Sequence, residues 1–277
     1  MGDWRLALRD NAVNLVALGL FLVILGCAVL GPSLVPYDPI ATNARMALAP
    51  PSSAHWFGTG QLGRDLFSRV IVATRLDLLM AFAAVLMSMA IGSLAGAAMG
   101  YFGGWPDAAA SRLVDVLMAF PLFVLAMAVV AALGNSVANV IYATAVINLP
   151  FYVRLARAET NVRRHMGYVE AARVGGSSHL RIIGVILLPN LAGPLVVQAS
   201  LNLGWAVLNA AGLSFIGLGV RAPTPEWGIM VAEGAQFVSS GRWWIALFPG
   251  LALMLTVFCF NLLGDALRDA LDPRTRR

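Results

Sequence analysis

Residues 170–189 read EAARVGGSSHLRIIGVILLP, and they lead from a charged segment into a long apolar one. Residues 166–174 favour a short helix. The small side chains of Ala171 and Ala172 on that helix allow another backbone to approach closely. The first part of the stretch therefore predicts a small helix with a surface on which a partner can pack.

The second part of the stretch predicts a bend and a new helix. Gly175 and Gly176 end the first helix, because glycine readily adopts the conformations at which helices stop. Ser177 or Ser178 can cap a second helix, which carries His179 and enters the apolar segment. Such an element lies along a membrane surface and presents a knob to a partner. An ordinary solvated loop is the alternative that local chemistry leaves open.

The composition of the whole chain is that of a membrane protein. Of its 277 residues, 59% are hydrophobic and only 12% are charged, whereas a soluble domain has about 45–50% and about 25%. A disordered chain would have low hydrophobicity and high charge. The strands of an outer-membrane barrel would alternate apolar and polar residues over segments of about 10 residues. The long continuous apolar runs instead predict an all-α, polytopic membrane protein.

The chain contains no lysine, since all 19 of its basic residues are arginine. A phosphate-binding loop of the Walker type needs a lysine, and Schiff-base catalysis needs a lysine amine. If ATP drives this protein, the ATPase is therefore a different chain. The two cysteines, Cys27 and Cys259, lie in apolar runs and are interpreted as small core residues.

Six apolar segments are long enough to cross a bilayer, which takes about 20 residues. A polar loop over Pro36–Asp77 follows the first segment, and the fifth is long enough to include a break at Pro189 or Pro194. The predicted spans are Ala12–Val35, Leu78–Phe102, Leu113–Leu133, Val137–Val153, Ile182–Leu213 and Trp243–Leu263.

The distribution of arginine predicts the orientation. With six spans, both termini lie on one side, and that side holds 13 of the 19 arginines. Six of them fall between Arg154 and Arg181, in the segment that contains the two-glycine bend. Because cytoplasmic loops are enriched in basic residues, we expect both termini and this loop in the cytoplasm.

The two-glycine loop resembles the EAA motif of bacterial ABC-importer permeases. That motif reads Glu-Ala-Ala, three residues, Gly, nine residues, Ile-x-Leu-Pro, and it is filled here by Glu170, Ala171, Ala172, Gly176, Ile186, Leu188 and Pro189. Over nearly the whole chain, other stretches are similar to the second, or C-type, subunit of the dipeptide, oligopeptide and nickel permeases. These stretches are residues 55–65 (HWFGTGQLGRD), 100–107 (GYFGGWPD), 112–121 (RLVDVLMAFP), 213–219 (LSFIGLG), 223–228 (PTPEWG) and 260–273 (FNLLGDALRDALDP).

The resemblance implies the type I permease fold of an importer in the bacterial inner membrane. Its partners are a homologous permease, two ATPase subunits, an extracytoplasmic binding protein and membrane lipid, with no role for nucleic acid. This chain then holds no cofactor, because ATP and magnesium bind to the ATPases. The chain divides into an N-terminal helix with its loop (1–77) and a five-helix core (78–277), which contains the coupling loop at 159–189.

The resemblance also assigns the site residues. The helix around Glu170 becomes a coupling helix that sits in a groove of one ATPase. The residues expected to serve this coupling are Glu170, Ala171, Ala172, Arg173, Gly175, Gly176, His179 and Pro189.

Several polar side chains lie in or near the predicted spans. Such residues either line a transport pathway or form hydrogen bonds between helices, and here we favour the second role. They are Asp115, Asn148, Gln198, Asn202 and Asn209.

The expected substrate is a di- or oligopeptide, with a nickel chelate, glutathione or another small solute as alternatives. The only histidines, His55, His165 and His179, fall on two sides of the membrane in this topology, which disfavours a metal site in this chain. An ion-coupled secondary transporter would show inverted repeats and charged residues in mid-span, and a membrane enzyme would show a clustered nucleophile or metal. The sequence shows no repeat and no such cluster, and Asp115 is the only acid well within a central span.

Overall fold

A computed structural model describes residues 12–271, and within that range the chain is helical, without a β-strand. Short 3-10 turns lie at Ala44–Met46 and Val238–Ser240, and a π-helical segment lies at Ile182–Leu187. The α-helices, in chain order, are α1 (Ala12–Leu34), α2 (Leu66–Phe102), α3 (Gly104–Ala119), α4 (Leu122–Leu133), α5 (Val137–Arg163), α6 (Gly167–Val174), α7 (His179–Arg181), α8 (Leu188–Phe215), α9 (Trp227–Ala235) and α10 (Trp244–Leu271).

The fold class is the predicted one, an all-α polytopic membrane protein. Four helical segments are long and apolar enough to span a membrane: α1, α2, the continuous segment His179–Phe215, and α10. The predicted third span is not straight, because α3 and α4 meet at 93° and count together as a fifth. Helix α5 has 27 residues but is more polar, so four or five spans are counted over residues 12–271, where the sequence predicts six.

The predicted loop Pro36–Asp77 is too long, because α2 begins at Leu66 rather than at Leu78. Asp65 caps the helix, and its carboxylate accepts a hydrogen bond from the Ser68 N–H at 2.8 Å. Two charged residues of the first turns, Arg69 and Asp77, are buried within the bundle instead of facing solvent. In the sequence, their charge indicated a solvent-exposed loop. In the structure, they are buried because the groups that bond to them belong to residues much later in the chain.

The fifth span is not broken at Pro189 or Pro194, since residues 179–215 form one 37-residue helical span. A π-helical segment over Ile182–Leu187 comes directly before Pro189, which occupies the first turn of α8. The Leu188 N–H donates to the Ile183 carbonyl, five residues back. The change to π-helical hydrogen bonding directly before Pro189 accommodates a residue that has no N–H to donate.

Helices α2 and α5 make the most extensive contact of any helix pair among the described residues, and three glycines of α2 lie in it. A Cβ on Gly92 would lie 2.7 Å from the Tyr152 Cβ, and a Cβ on Gly100 would lie 2.6 Å from the Arg157 carbonyl oxygen. A Cβ on Gly96, which lies one turn from each of the other two glycines, would collide with the Val153 carbonyl. The small-residue run at 92–100 therefore lets the two backbones touch, as small residues do in membrane bundles.

The loop before α2 is ordered by the same residue that caps the helix. His55 Nδ1 lies 2.8 Å from Asp65 Oδ1, and the His55 ring lies beside Tyr37, with 4.7 Å between ring centroids. Farther along the loop, Phe57 stacks on Phe248 of α10 at 3.9 Å. The loop is thus attached to both α2 and α10 at one end of the bundle.

The predicted orientation in the membrane depends partly on arginines near the two chain ends. Several of these arginines lie outside the described residues. These are Arg5, Arg9, Arg274, Arg276 and Arg277.

Candidate functional site

Helix α6 lies at the end of the bundle opposite the loop of His55, and it is anchored along one side only. Val169 is fully buried, and Ala172 packs against the central apolar cluster. Glu170 and Ala171 are exposed on the other side, and Val174 is 91% exposed. A helix of this length is marginal in isolation, so the buried side holds α6 in place while the exposed side is left for a partner.

The two-glycine bend follows α6 as the sequence predicts. Gly176 has a φ of +78°, and its N–H donates to the Arg173 carbonyl at 3.0 Å. Ser178, rather than Ser177, caps the next helix by accepting from the Arg181 N–H at 3.3 Å. A Cβ on Gly176 would meet no atom within 4 Å. Within this chain the glycine therefore serves the left-handed backbone, and no clash with the turn enforces it.

A residue that sequence reasoning missed, Tyr101 at the end of α2, contacts both sides of the bend. Its hydroxyl lies 2.9 Å from His179 Nδ1, and the Arg173 Nε–H donates to the same oxygen at 3.3 Å. The Arg173 guanidinium also lies over the Tyr101 ring, 4.9 Å from its centroid. Arg173 and His179 are thus held by their own chain, through a tyrosine that follows Gly100 in one of the quoted stretches.

Two apolar side chains near the bend were also missed. Val174 at the end of α6 is 91% exposed and Leu180 in α7 is 81% exposed. Large apolar side chains that are open to solvent mark interaction surfaces when they lie together. The signal in the sequence was an apolar residue on each side of the glycine pair, inside an otherwise charged segment. Pro189 lies about two turns farther along, at the start of α8.

The four amide residues singled out from the spans lie around one cavity of about 340 Å³ between α5 and α8. Asn148 and Asn202 are buried, whereas Gln198 and Asn209 are half-buried. The Gln198 Nε2–H donates to Asn202 Oδ1 at 2.9 Å. We name this space the amide cavity, and its lining is Leu122, Ile147, Asn148, Phe151, Gln198, Leu201, Asn202, Trp205 and Asn209.

Asp115 does not belong to that cavity. It lies on α3 and pairs with Arg154 of α5 at 2.6 Å, with both side chains about half exposed. Asp107, two turns earlier, holds Arg157 by two hydrogen bonds of 2.5 and 2.7 Å. These pairs line a second, charged cavity of about 540 Å³. The structure therefore separates the predicted polar residues into a neutral group and a charged one.

A buried acid lies outside the spanning helices, at the start of α9. Glu226 is fully buried and accepts hydrogen bonds from the Gly228 and Ile229 N–H groups, each at 2.8 Å. Burial raises the pKa of Glu226, and these backbone donors oppose the shift. Asp77 of α2 accepts from the Trp227 N–H at 3.2 Å. The two acids together fix α9 against α2.

The three histidines lie in three different places. His55 contacts Asp65, His165 contacts Arg164, and His179 contacts Tyr101. Across residues 12–271, no three His, Cys, Asp or Glu side chains come together in a way that could hold a metal ion.

A helical membrane bundle with an anchored surface helix at one end and a polar cavity between its spans defines a membrane transport subunit. Comparison with known proteins agrees with this class. The chain belongs to the binding-protein-dependent transport system inner membrane component family, whose model matches residues 88–277. A second model, the N-terminal TM domain of oligopeptide transport permease C, matches residues 1–51. The protein is therefore a multi-pass inner-membrane protein, and its resemblance to C-type permeases is confirmed.

Curated relatives match the chain over nearly its full length. The probable D,D-dipeptide transport system permease protein DdpC of Escherichia coli is 44% identical, over 96% of this chain and 89% of that protein. The glutathione transport system permease protein GsiD of Pectobacterium atrosepticum is 43% identical, over 99% of this chain and 90% of that protein. A solved structure of the MetNI methionine ABC transporter in inward-facing form matches with a TM-score of 0.58 at 19% identity, over 74% of this chain and 96% of that one. It shows a shared fold.

Proposed function

We propose that this chain is one of two permease subunits of an ATP-driven importer that receives its substrate from a binding protein. A homologous permease completes the pathway, and two ATPase subunits bind ATP and magnesium and hydrolyse the nucleotide. The observation that carries the proposal is α6, which is anchored by Val169 and exposes Glu170, Ala171 and Val174. The chain itself is then a transport subunit and not an enzyme.

The proposed substrate is a short peptide. Relatives of this chain are named as permeases for D,D-dipeptides and for glutathione. Glutathione import is the second candidate because of the second name, and a nickel chelate or another small solute is a third.

In this proposal α6 is the coupling helix, and its residues divide into two roles. Glu170, Ala171, Val174 and Leu180 contact a groove of the ATPase, because they are exposed and, unlike Arg173 and His179, do not contact Tyr101. Val174 and Leu180 place apolar surface there, and burial of such surface stabilises an interface at about 25 cal/mol per Å².

The other residues of the loop position the helix rather than touch the partner. Arg173 and His179 contact Tyr101, Gly175 and Gly176 form the bend, and Ala172 packs inward. Pro189 starts α8, which receives the movement of the loop.

The loop and both chain termini lie in the cytoplasm in this proposal. The excess of arginine on that side supports the orientation, since basic residues are retained in cytoplasmic loops. The loop of His55 then faces outward, where a binding protein delivers its ligand.

The test is recovery of the assembled complex from membranes in mild detergent. The wild-type chain, tagged and expressed with its partners, retains a second permease and two ATPase chains. Val174→Glu places a carboxylate in the ATPase groove, and we expect ATPase recovery to fall about tenfold, which corresponds to about 1.4 kcal/mol. Val238→Glu is the matched control, because Val238 is 50% exposed on the opposite end of the bundle.

Two results would overturn the proposal. One is a wild-type chain that purifies alone and transports a solute in reconstituted vesicles. The other is a Val174→Glu variant that keeps full ATPase recovery and full uptake.

A further inference from the structure

One face of α8 carries a row of amide and aromatic side chains. Gln198, Asn202, Trp205 and Asn209 are separated by four, three and four residues, a spacing that places them on the same face of a helix. They occupy the middle of α8, which runs from Leu188 to Phe215. The row therefore lies at the depth of the membrane interior.

This row forms one wall of the amide cavity, and α5 provides the facing wall with Asn148 and Phe151. The cavity, at about 340 Å³, falls within the about 300–1,000 Å³ that small-molecule sites occupy. None of its nine lining residues is charged, and none is a histidine or a cysteine. The surface is thus polar and concave but electrically neutral.

The amide groups keep hydrogen-bonding capacity for a ligand. The NH₂ groups of Asn148 and Asn209 donate to the carbonyls of Thr144 and Trp205, at 2.8 and 2.9 Å. Gln198 likewise uses its NH₂ group on Asn202. Each carboxamide also has a carbonyl oxygen with two acceptor sites. In the described chain no hydrogen bond to the carbonyl oxygens of Asn148, Gln198 or Asn209 is formed.

A row of amides in the middle of a span is unfavourable against lipid, because hydrocarbon offers no hydrogen bonds. The row must therefore face protein or a water-filled path. A concave wall with free acceptors and the exposed Trp205 ring (65% exposed) suits a passing solute. A helix–helix seam would instead need a flat surface with its polar groups paired.

We propose that the amide cavity contacts the backbone of the transported peptide, with the oxygens of Asn148, Gln198 and Asn209 accepting its N–H groups and Trp205 covering an apolar side chain. This inference rests on the proposed import function and specifies its substrate as a short peptide without net charge. A bare divalent metal would find no carboxylate, imidazole or thiolate in this cavity. Glutathione, which has net negative charge, would find no cation there.

The test is thiol labelling of the assembled complex in proteoliposomes, with dialanine as the solute. Gln198→Cys and Asn209→Cys are treated with a charged, water-soluble methanethiosulfonate, and the wild-type chain, with its Cys27 and Cys259, gives the baseline. Val196→Cys is the matched control, because Val196 is 44% exposed on the same helix but does not line the cavity, so a charged reagent that enters through the cavity does not reach it. Labelling is scored in every variant complex that retains the second permease and both ATPase chains, whether or not it still transports dialanine.

We expect both row positions to be labelled and the control position to remain unlabelled. Dialanine, supplied with the binding protein and ATP at about ten times its Kd for the cavity, should slow labelling about tenfold, because protection scales as 1 + [L]/Kd. Glutathione at the same concentration should protect less.

Two outcomes would overturn the inference while the wild-type complex still imports dialanine: row positions that resist labelling in an assembled complex, and labelling that dialanine slows at neither row position. Absence of dialanine uptake by the wild-type complex would instead overturn the proposed substrate.

Discussion

The contact between α2 and α5 gives the sharpest prediction about stability. In Gly92→Ala the new Cβ would lie 2.7 Å from the Tyr152 Cβ and 3.0 Å from the Leu149 carbonyl oxygen, whereas ordinary contacts begin at 3.4 Å. Both neighbours are fixed to the α5 backbone, so the helices must separate by several tenths of an ångström. Overpacking of this kind costs about 1–3 kcal/mol.

The gain in helix propensity offsets part of that cost, because alanine is favoured over glycine by about 1 kcal/mol. Since the obstacle is backbone, we take the upper part of the overpacking range and expect a net loss of about 2 kcal/mol. Thermal unfolding of the assembled complex in detergent measures the effect. At about 2–4 °C per kcal/mol for a chain of this size, the midpoint should fall by about 4–8 °C.

The matched control is Gly26→Ala in α1, where a new Cβ meets no atom within 4 Å. Its midpoint should stay at the wild-type value or rise slightly. A Gly92→Ala midpoint that equals that of the control would refute the claim that the glycines set the spacing of α2 and α5.

Tyr101→Phe keeps the ring but removes the hydroxyl that contacts Arg173 and His179. Since each hydrogen bond contributes about 1 kcal/mol, we expect peptide uptake to fall several-fold. The ATPases should still co-purify. Gly63→Ala combines a φ of +68° with a collision against the Asn43 carbonyl, so proteolysis of the loop before α2 should be faster in intact spheroplasts. Glu226→Ala removes the cap of α9 and should lower the thermal midpoint, since loss of a cap costs about 0.5–2 kcal/mol.

Each of these three has a result that contradicts it. Unchanged uptake in Tyr101→Phe would show that the hydroxyl does not position the coupling helix. Equal rates of proteolysis in Gly63→Ala and wild type would show that the turn at Gly63 does not order the loop. An unshifted thermal midpoint in Glu226→Ala would show that the cap of α9 does not stabilise the protein.

Local features of the coupling loop could be predicted from the sequence because they depend on neighbouring residues. The glycine stop, a serine cap and the short helix all follow from chemistry within a few positions of Gly176. The long apolar segments are equally local, since composition alone identifies them. The small residues Gly92, Gly96 and Gly100 share one helix face and indicate close packing against some helix, but they do not identify α5 as the partner.

Features that depend on distant partners could not be predicted. Arg69 and Asp77 indicated a solvated loop, but Glu233 lies 3.4 Å from the first and the Trp227 N–H donates to the second. Arg173 gave no sign that Tyr101, 72 positions earlier, would hold it inside its own chain. In each case a charged side chain is paired across the fold, and composition in a window cannot show that pairing.

The polar residues of the spans illustrate the same limit. The sequence indicated Asn148 and Asn209 as inward-facing, but two roles were open and packing was favoured. The structure brings these amides to one cavity and leaves Asp115 elsewhere. That grouping depends on how α5 and α8 pack, which no single segment encodes.

Helix α2 is one unbroken rod of 37 residues, about 55 Å at 1.5 Å per residue, which exceeds the thickness of the hydrocarbon core. At its start Asp65 holds the loop through His55, and at its end Tyr101 holds Arg173 beside the two-glycine bend. Because the helix is continuous, a tilt at one end can move the other end. In the proposed importer, a loaded binding protein at one membrane face and the ATPases at the other would therefore both act on the same helix.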